Sequence, residues 1–148
     1  MELNKSLFVM ILGSFVIQFV IMSALMTNKI SNIRLSMGKF YISIIMASLM
    51  GFLEVLMYDY HMGSVSIIYY LSLGLVISIF VYLYRNQSYI YDNDYLNEMI
   101  EHHSMALLTS ESILEKTESE RVKRLAENII STQLVEIKYM NDLLNTIK

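Results

Sequence analysis

The sequence predicts an all-α protein: three transmembrane helices followed by an antiparallel helical hairpin. Three observations carry this prediction. Hydrophobic residues make up 55% of the 148-residue chain and gather in its first half. Three apolar runs there each approach the roughly 20 residues that cross a ~30 Å hydrocarbon core at ~1.5 Å per residue. The remainder is acidic and repeats its apolar residues at helical spacing. The chain accordingly divides into a spanning region, residues 1–85, and a helical-hairpin domain, residues 86–148.

The first span is read over residues 7–26, Leu7 to Met26, with Gln18 as its strongly polar side chain. It is too long for the apolar core of a signal peptide and lacks a clear small-residue cleavage site, so it is expected to be retained. The second, residues 40–58, is interrupted by Glu54. A carboxylate within a span is costly and by default a functional candidate, but Glu54 lies near enough to the span's end to reach the interface, and position favours that reading. Met46, Met50 and Met57 share one face beside it. A packing stripe is the simpler account, and a path for soft metal ions is the alternative. The third span, residues 65–84, is uncharged, and Tyr69, Tyr70, Tyr82 and Tyr84 suit interfacial belts. The short link Asp59–Gly63 makes the last two spans an antiparallel hairpin.

Charge sets the orientation expected. The first loop, Thr27 to Lys39, carries Lys29, Arg34 and Lys39, and Arg85 follows the third span. The positive-inside rule then places this loop and the C-terminal domain in the cytoplasm. Residues 86–148 hold six Lys/Arg against eleven Asp/Glu, a net −5, which makes nucleic acid a poor partner. No cysteine is present, so disulfides, thiolate metal sites and thiol nucleophiles are excluded.

In the acidic domain, Asp92 or Asp94 is expected to cap a helix whose apolar face runs Leu96, Met99/Ile100, His103, Ala106/Leu107, Ser110 and Ile113/Leu114. A turn over Lys116–Ser119 leads to a second helix from about Glu120 to Ile147. Its face is Val122, Leu125/Ala126, Ile129, Gln133, Ile137, Met140, Leu144 and Ile147. Folding one helix back on the other puts His103 opposite the region of Gln133, and Met99 opposite Glu136, Ile137 and, one turn on, Met140. The polar breaks of the two stripes therefore coincide, which suggests one polar cluster. Two helices cannot cover both sides of their stripes alone. Pairing with a second copy, a homodimer completing a four-helix bundle, is expected.

The run Asp92, Tyr95, Met99-Ile100-Glu101-His102-His103-Ser104-Met105-Ala106, continued by Leu107–Glu111, resembles domain-of-unknown-function family 305. The second helix resembles that family's second block at Leu125-Ala126, Ile129-Ile130, Gln133, Glu136-Ile137 and Met140. The resemblance implies a ferritin-like hairpin carrying a Met-Ile-x-His-His motif. It also implies a membrane-bound subgroup with three N-terminal spans, to which the methionines of the second span are similar. Some soluble relatives are associated with copper, and the family tends to place this domain in the periplasm or exoplasm, against the charge rule. Glu101 stands where the family usually has proline, and Thr109 where soluble members often have methionine.

Two readings of the histidines follow. In the first, His103 with Met99 and Met140 holds a metal, with His102 added from the edge or from a second subunit. Imidazole with thioether suits Cu(I), and imidazole alone also accepts Zn(II) or Cu(II). Glu98 and His102, four residues apart, offer a harder alternative. In the second reading, His103 bonds Gln133 and Glu136 and fixes bundle register. A di-iron carboxylate site lacks its paired Glu-x-x-His motifs. No nucleophile–base arrangement is visible, and Ser104 and Ser110 read as solvated or packing residues. The expected role is metal sequestration or sensing at the membrane, without catalysis. A structural or interaction protein and a metal transporter are the competing classes.

Overall fold

The computed structural model describes residues 3–147. Among these, regular structure is helical throughout. α1 (Leu3–Val16) passes through a π-helical segment, Ile17–Ile21, into α2 (Met22–Met26). A single 3-10 turn, Ile30–Asn32, interrupts the first loop. α3 (Met37–Met62), α4 (Ile67–Arg85), α5 (Asp92–Leu114) and α6 (Glu120–Thr146) follow. Leu3–Met26, α3 and α4 are long and apolar enough to cross a membrane.

The chain forms two compact units. One joins the chain through Met22 to Met37–Tyr89. The other joins Ser23–Ser36 to the chain from Ile90 onward. The second unit's membership is unexpected, because the first loop clusters with the C-terminal helices.

In the first unit α3 is the central helix, packing against both α1 and α4. Its buried face is made of small residues, Ser43, Ala47, Ser48 and Gly51, followed by Val55. Small side chains let helix backbones approach, which is how spans associate where lipid removes the hydrophobic drive. A Cβ on Gly51 would lie 2.9 Å from Ile11 Cγ1 and 3.2 Å from Leu7 Cδ1, so α1 seats on that glycine. Leu3, Leu7, Val55 and Leu73 close the core. Glu54 is half-buried and accepts a hydrogen bond from the Ser6 hydroxyl of α1.

The link after the second span lies later than the sequence suggests. Asp59 to Met62 are helical, and the chain turns at Gly63, whose φ is +62°. The reason is Asp59, which is buried and accepts from Ser66 N–H (2.7 Å), Ser66 Oγ (2.8 Å) and Ser64 Oγ (3.0 Å). That carboxylate satisfies the first donors ahead of α4, the task of a capping residue.

The second unit is built on α5 and α6. Leu96, Ile100, Leu107, Ile137 and Met140 form its core, with Met99, Ile130, Leu143 and Leu144 packed on it. The helix begins at Asp92 with Tyr91 as its cap residue, and Tyr91 makes no side-chain capping bond. Asp92 and Asp94 thus sit inside the first turn, where their charge still favours the positive end of the helix dipole.

Candidate metal centre

Because Cα–Cβ bonds tilt toward a helix's N-terminus, a side chain covers the turn before its own. In an antiparallel pair this carries His103 toward higher residue numbers on α6. Its Nε2 accordingly lies 2.8 Å from Glu136 Oε2, one turn beyond Gln133. Gln133 is half-buried on the preceding turn of α6.

The His103 side chain is 12% exposed and that of Glu136 is 48% exposed. The other ring nitrogen, Nδ1, is buried and has no hydrogen-bond partner. A carboxylate only accepts, so Nε2 carries a proton and donates to Glu136, as in the Nε2–H tautomer. That tautomer leaves Nδ1 as a buried lone pair rather than a buried, unsatisfied N–H. Met99, four residues before His103, is half-buried against the core that contains the fully packed Met140. Thioethers are soft donors and imidazole is a borderline one, so by donor chemistry these residue types suit Cu(I), with imidazole also accepting Zn(II) or Cu(II).

The remaining candidates stand apart from this set. His102 is exposed, its ring centroid 6.1 Å from that of His103 and tilted 67° to it. Glu98 is half-buried, 3.5 Å from Ser36 Oγ of the first loop. Among the described residues no three His, Cys, Asp or Glu side chains converge on one point. In the first unit, Met46 and Met57 are exposed and Met50 is half-buried.

A second polar centre lies on the same two turns of α5 and is absent from the periodicity argument. Glu101 accepts from Ser23 Oγ at 2.5 Å through Oε1, and from the Arg34 backbone N–H at 2.8 Å through Oε2. Ser104 is fully buried: its hydroxyl donates to Asn28 Oδ1 (2.6 Å) and accepts from Asn28 N–H (3.1 Å) and Asn32 Nδ2 (3.2 Å). Arg34 Nη2 donates to Asn141 Oδ1 of α6 at 2.6 Å. Of the two expectations for Ser104, solvated or packing, burial removes the first, and its packing site is a hydrogen-bonded one. The available signal was a small polar residue three positions after Glu101, on the flank of the stripe away from His102.

Residues 90–148 match the family model described as "Domain of unknown function (DUF305)". Over 142 residues the chain is 36% identical to Uncharacterized protein L153 of Acanthamoeba polyphaga mimivirus, an alignment covering 96% of this chain and 93% of that protein. No solved structure matches the chain.

Proposed function

The chain belongs to the DUF305 family, and on that footing we propose that it is a membrane-anchored metal-binding protein of the copper type, serving sequestration or sensing rather than catalysis. The carrying observation is the His103 imidazole, held through one nitrogen by Glu136 while the other is buried and unpartnered. Metal-ligating histidines characteristically donate their second N–H to a carboxylate, which fixes tautomer and ring orientation. In this reading His103 Nδ1 and the sulfurs of Met99 and Met140 hold the ion, and Glu136 orients the ring. Gln133 and Glu98 are its polar surroundings. Bound Cu(I) supplies soft-ligand affinity and one-electron redox chemistry. His102, exposed, is the ligand offered to a second copy.

The second-copy reading has its own support. Tyr95, Ile113, Leu125, Val135 and Tyr139 are exposed apolar side chains on the hairpin, at 54%, 40%, 59%, 69% and 63%. A homodimer covering part of them completes a four-helix, ferritin-like bundle. Three crossings place residues 27–36 and the C-terminal domain on one side of a bilayer. Lys29, Arg34, Lys39 and Arg85 favour the cytoplasm, and the family resemblance favours the periplasm or exoplasm.

The competing reading is structural, with the 2.8 Å His103–Glu136 pair setting only the register of α5 on α6. Anaerobic Cu(I) titration of the full chain, purified in detergent without chelator, separates the two. The metal reading expects His103→Ala to weaken binding by at least about tenfold, Met99→Leu and Met140→Leu to weaken it less, and His102→Ala to act mainly on the dimer. Binding unchanged in His103→Ala and in both methionine variants leaves the structural reading standing.

A further inference from the structure

At the end of the first apolar helix and in the loop after it, Leu25, Ile30 and Leu35 are exposed while polar side chains are inside. Ser23, Thr27, Asn32 and Ser36 are each less than 9% exposed. Buried polar groups are costly unless paired, and these are paired. Two side chains of α5 collect most of the bonds. Glu101 takes a hydroxyl at one end of the loop and a backbone N–H near the other. Ser104 takes its middle, through both the backbone and the side chain of Asn28 and through Asn32. Glu98 and Asn141 add contacts to Ser36 and Arg34.

The position of these bonds on α5 gives them a consequence. Residues 98–104 span less than two helical turns. Within them Met99, Ile100 and His103 serve the α6 side, and Glu101 and Ser104 serve the loop. The motif turn is therefore gripped from two directions, one gripping element being α6 and the other residues 23–36, the end of the first apolar helix and the loop after it.

We propose that residues 23–36 are a strap, a third working element of the C-terminal domain, and that Glu101 and Ser104 are the positioning residues through which it seats the turn bearing His102 and His103. The working domain is thus larger than the α5–α6 hairpin. It is also tethered to the spanning region at two places, through the strap as well as through residues 86–91. The strap does not depend on any metal, so it stands or falls separately from the reading above.

The test is amide hydrogen exchange on the full chain in detergent micelles. In the parent protein, the amides of Asn28 and Arg34 exchange at least about tenfold more slowly than unstructured amides, because each donates to α5. Glu101→Ala frees Arg34, Ser104→Ala frees Asn28, and both raise exchange across residues 99–105 by about threefold or more while the core amides of α6 stay protected. Should the α5 substitutions melt the hairpin, Asn28→Ala, which leaves α5 unaltered, carries the test: exchange across residues 99–105 rises. Free exchange of Asn28 and Arg34 in the parent overturns the proposal. So does a strap that is released in Glu101→Ala or Asn28→Ala with residues 99–105 unchanged.

Discussion

The two units bury polar groups by different rules. In the spanning unit the buried polar side chains are small or terminal. Ser43 donates back to the Lys39 carbonyl of its own helix, and Asp59 serves the turn it adjoins. In the C-terminal unit polar groups bridge distant segments, with Glu101 and Ser104 joined to residues 67 to 78 positions away. The difference follows from the solvent each unit must satisfy. Apolar helices must satisfy their polar groups within the protein, nearby for Ser43 and Asp59 and across the unit for Glu54 with Ser6 and for Tyr41 with the Ser88 carbonyl. Their specificity comes from close packing on small residues. A two-helix hairpin has too little core to hold itself, so it borrows a polar strap and, in the reading above, a second copy.

The apolar core is where the comparison breaks most readily. Leu107 is 1% exposed at the centre of the hairpin, and Leu107→Ala should cost about 3 kcal/mol, read as loss of protection in α5 and α6 under urea. Leu125 is 59% exposed, and Leu125→Ala should cost less than about 0.5 kcal/mol in a single copy. A loss above about 1 kcal/mol at Leu125 would show that a second molecule covers it, and analytical ultracentrifugation of the same variant would then show dissociation.

Close packing in the spanning unit gives the next largest effect. Gly51→Ala brings a methyl within 3.0 Å of two Ile11 carbons, so the Ile11 side chain or α1 itself must shift, and the cost should be about 1–2 kcal/mol in an SDS-titration unfolding assay. Gly74 has nothing within 4 Å of a built Cβ, and Gly74→Ala should be neutral or stabilising by up to about 1 kcal/mol. Equal effects at the two glycines would remove the argument that α1 seats specifically on α3.

The same contrast explains what could be read before the fold was known. The three long apolar helices, the two C-terminal helices and the facing of His103 and Glu136 were legible because burial along a helix imprints a period on the sequence. The strap was not. Ser23 closes the first apolar helix and Asn28, Asn32 and Arg34 lie in the short, largely irregular loop after it, and their partners are set by tertiary contact alone. Their content resembles any polar loop. Asp59 was misplaced for a related reason: a carboxylate, histidine and glycine in sequence resemble a turn, and the two serines that hold Asp59 in the helix come after it. Among the site residues, the structural reading already gave His103 both Gln133 and Glu136, and choosing Glu136 between them needed the tilt of the side chain as well as the register of the backbone.

The smallest predicted effect is the most discriminating. Glu136→Gln keeps an acceptor near His103 Nε2 but removes the charge. Glu136 is about half exposed, so solvent already screens the pair, and the stability loss should be no more than about 1 kcal/mol, shrinking as salt is added. A register lock and nothing more predicts that this is the whole effect. If the carboxylate instead orients a ligating imidazole, Cu(I) affinity should fall by about 10–100-fold in the same variant, far more than the stability change can account for. One substitution thus gives two readouts whose ratio differs between the readings. The small stability loss with metal affinity unchanged would make Glu136 a structural partner of His103 and place any metal elsewhere.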